Sequence, residues 1–213
     1  MGRPRKFVAE VALSAAVEVF WEKGFEGASL NNLTIAMGIT RPSLYAVFGN
    51  KQQLFLKALD LYRTKYMVFV RHALKEPTAC IVVESLLNGY ADTMSGETHP
   101  PGSLETNCVL VCSDEGSLIR RELTALRAAD EAALRGRLYR ALAEDDLPTG
   151  ADPADLACYV MAVIQGMSIS AASARTGRHF VLSPGPRYGL GPRVREVMVE
   201  QAILKIPATA ESD

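Results

Sequence analysis

The chain has 213 residues, of which 48% are apolar and 22% charged, and its 23 Lys and Arg nearly balance its 24 Asp and Glu. This composition is typical of a soluble globular protein and excludes collagen-like, low-complexity and disordered chains. Four cysteines are too few for a disulfide framework, and the opening MGRPRK lacks the apolar core of a signal peptide. We therefore expect a protein of the reduced cytoplasm.

The charges are unevenly distributed along the chain. Residues 1–75 carry eleven Lys or Arg against five Asp or Glu, a net charge of +6, and the remaining residues carry −7. A basic N-terminal third on an otherwise acidic chain indicates that this end meets a polyanion. Asymmetry of this size also arises by chance, so the function has to come from the elements within the basic third.

The first two predicted helices are bounded by glycine. Residues 7–23 place apolar side chains at helical spacing, and Gly24 follows at the position where such a helix ends. Ser29 then offers an N-cap oxygen to a second helix of about two turns, which Gly38 ends.

A third predicted helix begins at Thr40 or Arg41 and ends before Gly49, with Pro42 in its first turn, where a missing N–H costs nothing. Three helices with a short Gly-containing turn between the second and third describe a helix-turn-helix unit. The third helix exposes hydrogen-bonding side chains suited to phosphates and base edges, namely Thr40, Arg41, Ser43 and Tyr45. Lys51 opens a fourth helix, where its ammonium group and the backbone N–H groups suit a DNA phosphate.

Four segments of this region carry a family resemblance: AAVEVF at 15–20, KGF at 23–25, SL at 29–30 and GITRPSLYAVFGNKQQLF at 38–55. Together they resemble the N-terminal domain of the tetracycline-repressor (TetR) family of bacterial transcriptional regulators, over about residues 8–60. The resemblance implies a dimeric repressor whose third helix enters the major groove of DNA. It implies DNA contacts from Thr40, Arg41, Pro42, Ser43 and Tyr45, and backbone phosphate contacts from Ser29 and Lys51.

The residues ahead of the first helix form a basic arm. Arg3, Arg5 and Lys6 surround Pro4 in a segment that we expect to be flexible. Arginines in such arms enter narrow A·T-rich minor grooves, where the negative potential is strong. We predict that the arm contacts DNA, and the alternative is that it does nothing, because basic N-termini are common.

Helical patterns continue through the rest of the chain and no strand-like alternation persists, so we predict an all-α fold. Helices are expected over 51–75, 78–95, 116–145, 156–174 and 192–206, with a short segment at 104–113 and a Gly- and Pro-rich connection at 176–192. We divide the chain into a helix-turn-helix, homeodomain-like DNA-binding domain at 1–50, a connecting helix at 51–75, and a helical effector-binding and dimerisation domain at 76–213.

The uncharged helix at 156–174 carries a ridge of small side chains that recur every four residues: Ala162, Gly166, Ser170 and Ala174. Such a ridge lets another helix approach closely. The last predicted helix is apolar around much of its circumference, including Val194, Val197 and Met198. We expect these two helices to pair with their copies in a dimer, as the resemblance also implies, because helix-turn-helix proteins read two half-sites. Packing within one chain is the alternative.

An effector cavity is expected between the helices of the C-terminal domain, as the resemblance implies. Its candidate lining is apolar or aromatic: Met67, Tyr90, Met94, Leu110, Leu126, Tyr159, Val163 and Met167. Each of these side chains is equally well explained as ordinary core. No cluster of unpaired charges points to an acidic or basic effector, so we expect an apolar or aromatic one.

Two cysteines form a second candidate sensor. Cys108 and Cys112 are four residues apart and share a face if their segment is helical. They are explained as small apolar core residues, as thiols that sense oxidants or electrophiles, or as half of a metal site. The metal alternative lacks partners, because His72, His99 and His179 are scattered without ligand spacing.

Other functional classes find little support in the sequence. There is no nucleophile elbow, phosphate loop, zinc-binding HExxH or CxxC motif to indicate an enzyme. A helical adaptor that binds only protein leaves Arg41, Tyr45 and Lys51 unexplained. The uncharged helix at 156–174 contains a Gln, a Gly and three Ser, which makes a membrane span a poor interpretation. We expect double-stranded operator DNA, a second copy and a small-molecule effector as partners, with no cofactor, metal or membrane.

Overall fold

The structure, a computed structural model, describes residues 3–95, 99–108 and 116–174, with the backbone alone for 3–8 and 174. These residues form helices and connections without any strand, so the all-α prediction is confirmed for them. The helices are α1 Arg3–Gly27, α2 Leu30–Met37, α3 Arg41–Phe48, α4 Lys51–Tyr66, α5 Val68–Ala73, α6 Ala79–Met94, α7 Leu104–Asn107, α8 Ser117–Ala143 and α9 Pro153–Ala174.

The expected long helix at 51–75 is wrong, because the chain forms two helices there. α4 ends at Tyr66, Met67 has φ −104° and ψ 12°, and α5 begins at Val68. Met67 is buried, so packing holds it at a conformation that no local Gly or Pro imposes. The segment at 104–113 is helical over Leu104–Asn107, while 109–115, the connection at 176–192 and the helix at 192–206 lie outside the described residues.

Two compact units make up the chain. The first combines Met1–Val68 with Gly96–Ala125, and the second combines Phe69–Ser95 with Leu126–Asp213. In the first unit α1 packs against α2 and α4, and three buried rings, Phe20, Phe25 and Phe55, meet with centroids 5.1–6.3 Å apart. This aromatic core fixes the helices on which α3 rests.

Residues 99–108 pack against α1 and α4 within the first unit, and Trp21 is at the centre of this contact. Its ring is fully buried and its Nε1–H donates to the carbonyl of Gly102 at 3.0 Å. The ring of His99 stacks on it with centroids 4.5 Å apart, and Tyr62 and Tyr66 meet it edge-on. A segment distant in sequence therefore completes the core of the N-terminal helices.

The end of α7 fits against a kink in α1. Gly24 has φ 67° and ψ 174°, which interrupts the helix at the residue where the sequence predicted its end. A Cβ on Gly24 would lie 3.0 Å from the carbonyl oxygen of Asn107, and the Asn107 side chain donates to the carbonyl of Trp21 at 2.9 Å. Both the left-handed conformation and the close backbone approach favour glycine here.

An ion pair adds a polar link between α4 and α7. Arg63 Nη1 lies 2.7 Å from Glu105 Oε1, and both side chains are largely buried. Nearby, the Tyr62 hydroxyl donates to Ser103 Oγ at 3.4 Å, and burial raises the pKa of this phenol well above its ordinary value. The contact between 99–108 and the N-terminal helices is thus both aromatic and polar.

The second unit contains α6 and α9, which pack against each other through apolar side chains. The Asp146 carboxylate accepts from the Ala79 N–H at 2.5 Å, at the start of α6. A negative charge at a helix N-terminus is favourable. Pro153–Ser173 is long and apolar enough to cross a membrane, a test that core helices of soluble proteins also pass. The proposed division of the chain at residues 50 and 75 stays a prediction.

Candidate nucleic-acid interface

The connection from α2 to α3 is a tight turn held by backbone hydrogen bonds. Ser29 caps α2, because its Oγ accepts from the Asn32 N–H at 3.1 Å, and the Ser29 N–H donates in turn to Asn32 Oδ1 at 3.2 Å. Gly38 ends α2 in the left-handed conformation, with φ 64° and ψ 31°. Only two residues, Ile39 and Thr40, then separate Gly38 from α3. This is the geometry of a helix-turn-helix.

α3 turns one face inward and leaves the rest of its surface exposed. Leu44 and Phe48 are buried, whereas Tyr45 and Val47 are 50% and 54% exposed. The candidate DNA contacts of this element are all exposed, namely Thr40, Arg41, Pro42, Ser43 and Tyr45. The structure therefore brings these predicted residues together on one short helix and its N-cap.

Two of these residues also have a structural role. Thr40 is the N-cap of α3, with its Oγ1 accepting from the Ser43 N–H at 3.4 Å. The hydroxyl groups of Thr40 and Ser43 lie 3.0 Å apart and share a hydrogen bond. Any phosphate or base that these hydroxyls bind has to compete with that bond, so their substitution would affect the helix as well as its surface.

Lys51 occupies the position that the sequence predicted, at the start of α4. Asn50 caps this helix through the Gln53 N–H at 2.8 Å, and the Lys51 Nζ lies 4.5 Å from the centroid of the Phe25 ring. The cation–π contact holds the Lys51 ammonium group at the N-terminus of α4. A helix N-terminus attracts anions even without a charged side chain, because of the helix dipole and its backbone N–H groups. The site can attract a phosphate by side-chain charge and backbone N–H groups together.

Lys57 is a residue that the sequence analysis missed. Its Nζ donates to the carbonyls of Val47 and Phe48, at 3.3 and 3.4 Å, and lies over the Phe48 ring. A cation at a helix C-terminus satisfies orphan carbonyl groups and complements the helix dipole. Lys57 thus holds the end of α3, a contact that its place nearly two turns into α4 does not reveal.

The predicted flexible arm is wrong in its conformation. The backbone of Arg3, Arg5 and Lys6 belongs to α1, which begins at Arg3. Pro4 lies in the first turn of that helix, where proline is well tolerated. The side chains of these three residues lie outside the described part of the structure, so their contact with DNA stays a prediction.

The candidate effector residues fall in both units. Met67 is buried in the first unit. In the second, Tyr90 and Met94 are buried, Leu126, Val163 and Met167 are half-buried, and Tyr159 is 39% exposed. Leu110 lies outside the described residues. The effector cavity stays a prediction.

α9 presents its ridge of small side chains to solvent. Ala162, Gly166 and Ser170 are all exposed, and Ile169 beside them is 58% exposed. The opposite face of α9, which includes Leu156, Val160 and Ile164, is buried. The Ala174 side chain, and Val194, Val197 and Met198, lie outside the described residues. A dimer through this face stays a prediction.

Cys108 is buried, and its thiol is unsuited to direct reaction in this conformation. Burial raises its pKa to about 12, against the smaller opposing effect of a hydrogen bond from the Phe25 backbone. Reactive cysteines need a lowered pKa and access. Cys112 lies outside the described residues, so thiol sensing stays a hypothesis. Over residues 3–95, 99–108 and 116–174, no group of three or more His, Cys, Asp or Glu could hold a metal ion.

The known proteins that this chain resembles are bacterial transcriptional regulators. A family model described as bacterial regulatory proteins, tetR family, matches residues 12–58. The HTH-type transcriptional repressor ComR of Escherichia coli K12 is 32% identical over 198 residues, which cover 91% of this chain and 93% of ComR. The repressor BdcR of the same bacterium is 49% identical over 61 residues, covering 29% of this chain and 31% of BdcR.

A solved structure covers almost the whole chain. It is a cysteine mutant of the TetR family transcriptional regulator CifR, complexed with 26-bp double-strand operator DNA. It is 34% identical to this chain, covers 96% of it and 100% of the CifR chain, and superposes with a TM-score of 0.79. The likeness therefore extends well beyond the helix-turn-helix.

Proposed function

The chain belongs to the tetR family of bacterial regulatory proteins, and from this premise we propose that it is a dimeric repressor released from a palindromic operator by a small effector. Members of this family are soluble DNA-binding proteins and are generally non-enzymatic. ComR is a repressor and the CifR structure holds operator DNA, and both are similar to this chain over more than 90% of its length.

One observation carries the proposal: α3 is a short helix whose N-terminal edge is exposed and whose opposite face is anchored. Leu44 and Phe48 bury the anchored face, and Lys57 holds its C-terminus. Arg41 is exposed in the first turn, where a guanidinium can pair with the O6 and N7 atoms of guanine. Recognition helices place their N-terminal residues against base edges in the same manner.

The charge of the N-terminal third supports a DNA backbone as the partner. Lys51 is the first residue of α4, at the positive end of the helix dipole, and Ser29 is the N-cap of α2. Phosphate contacts set the register of a protein on the duplex, and each neutralised phosphate makes affinity more dependent on salt. We therefore assign backbone contacts to Ser29 and Lys51 and base readout to α3.

The exposed ridge of α9 supports the dimer. Ala162, Gly166 and Ser170 allow close approach of another helix, and the neighbouring Ile169 adds apolar surface that a dimer would bury. A two-fold dimer presents two copies of α3 to half-sites about 34–36 Å apart. The proposed operator is palindromic for the same reason.

The proposed effector acts by preferring one conformation of the dimer. A ligand shifts an equilibrium only by its differential affinity for two states, so it must bind more tightly where the two α3 helices no longer fit successive grooves. The candidate lining, which includes Tyr90, Met94 and Val163, is apolar or aromatic, and supports an effector with apolar surface.

Fluorescence anisotropy with duplexes from the chain's own upstream region tests the proposal, at low and at physiological salt. We expect a specific duplex to be bound by a dimer, and Arg41→Ala to weaken binding by about 1–3 kcal/mol. Arg121→Ala is the matched control, since Arg121 is exposed on α8 and outside α3. A monomer that binds every duplex equally, or not at all at low salt, would overturn the proposal.

A further inference from the structure

Arg137 is a charged residue at a core position of the second unit. It lies on α8 between Leu134, Leu138 and Ala141, which form one buried helical stripe. Only 6% of its surface is exposed. A helix stripe that faces a core is ordinarily apolar throughout, and a buried guanidinium is rare unless it is paired.

The guanidinium is only partly satisfied. Its Nη2 donates to the carbonyls of Glu76 and Pro77, at 2.8 and 3.0 Å, in the connection between α5 and α6. Nε and Nη1 are also buried, and neither has a hydrogen-bond partner among the residues that the structure describes. Among the residues that the structure describes, no carboxylate forms an ion pair with Arg137, and Asp146 is engaged at the Ala79 N–H instead.

This arrangement is costly, and capping two carbonyls does not explain it. A buried, unpaired charge costs several kcal/mol, while an apolar residue of similar volume is often neutral or stabilising at such a position. Two carbonyl acceptors could be satisfied by a side chain with fewer donors. In native structures, buried donors without a protein partner have a catalytic role or meet an ordered water, an ion or a ligand.

We propose that Arg137 binds the carboxylate of the effector, which makes the effector an amphipathic carboxylic acid. The proposal rests on the proposed function, because it assumes that a small molecule regulates the chain. An anionic oxygen satisfies the free Nε–H or Nη1–H groups, and the apolar stripe around Arg137 takes the rest of the molecule.

Because Arg137 is enclosed by protein, an effector that binds it must favour a different conformation of the chain. In the described conformation, Nε and Nη1 are covered by protein, so an anion reaches them only when neighbouring side chains move apart. The acid therefore binds a second conformation more tightly than this one. That difference in affinity is what a regulatory ligand requires.

Thermal unfolding tests the site without reference to DNA. Octanoate and benzoate are compared with octanamide and benzamide, which keep the apolar part and lose the charge. For the wild type we expect at least one acid, at about ten times its dissociation constant, to raise Tm by about 3–6 °C more than its amide. Arg137→Met should abolish that difference, and Arg135→Met, an exposed position on the same helix, should retain it.

The outcomes are separable. Equal shifts from each acid and its amide in the wild type, or an acid-specific shift that survives in Arg137→Met, overturn the site. If the Met variant does not fold, Arg137→Gln, which keeps donors for the two carbonyls, is subject to the same criterion. Operator binding by the wild type is measured separately, so a chain that ignores DNA but shows an Arg137-dependent acid shift refutes the repressor and leaves the site standing.

Discussion

Substitution of Trp21 by Phe tests how strongly residues 99–108 hold the N-terminal helices. The indole N–H donates to Gly102 at 3.0 Å and both groups are buried, so Phe leaves a carbonyl without its donor, at a cost of about 1–3 kcal/mol. Because the phenyl ring is smaller than the indole, the loss of buried apolar contact lowers the free energy of unfolding by about a further 2 kcal/mol. We expect the free energy of unfolding to fall by about 3–5 kcal/mol.

Urea denaturation followed by far-ultraviolet circular dichroism measures this change, because the variant lacks the chain's single tryptophan. Tyr66→Phe is the control: its ring meets Trp21 edge-on and stays in place, so the free energy should change by less than about 1 kcal/mol. A loss below about 1 kcal/mol for Trp21→Phe would refute the reasoning, since the hydrogen bond and the packing would then contribute little.

Three further predictions concern charge, assembly and pH. Lys51→Met should reduce the slope of log affinity against log salt by about 0.9, as one phosphate contact is lost. Gly166→Glu should place a charge on the proposed dimer face, yielding monomers by light scattering and weaker operator binding. The pKa of Cys108 is raised from 9.0 to about 12, so its thiol stays protonated in the folded chain while it ionises in the unfolded one. Its contribution to stability is complete below pH 9 and is lost as pH rises towards 12, by about 1.4 kcal/mol per pH unit. Urea midpoints between pH 9 and 11 should therefore fall less steeply in Cys108→Ser.

Each of these predictions has its own contrary result. Lys65→Met is the control for Lys51, because Lys65 is exposed near the far end of α4, and equal slopes in both variants would remove Lys51 from the phosphate contacts. A Gly166→Glu dimer as tight as the wild type would remove the ridge from the interface. Parallel pH profiles for Cys108→Ser and wild type would show that the thiol is accessible to solvent.

The helix-turn-helix could be predicted because its boundaries are encoded locally. Ser29 and Thr40 cap helices through neighbours three residues away, and Gly38 ends α2 through its own backbone conformation. The exposed face of α3 followed from the shortness of the helix, which can bury little. Its apolar pattern also predicts a buried Val47 beside Leu44 and Phe48, which is wrong, because Val47 is 54% exposed. These features need only short-range hydrogen bonds and the helical period.

The features that were missed depend on contacts between distant residues. Trp21 and Gly102 are 81 positions apart, and no local sequence pattern predicts their hydrogen bond. The break at Met67 has no Gly or Pro to mark it. Arg137 could have been noticed as a charge within an apolar stripe, but its burial depends on carbonyls 60 positions away. Tertiary packing decides such features, and a single sequence does not display it.

The contact of 99–108 with α1 has a practical consequence for building hybrid regulators. A DNA-reading module cut at the end of α4 would leave the indole of Trp21 and the rings of Tyr62 and Tyr66 open to water. A fusion of this DNA-binding domain to another effector-binding domain should therefore include residues 99–108 or a segment that packs in the same way. Without such a segment, a transplanted DNA-binding domain would keep α3 and lose the packing of residues 99–108 against α1 and α4.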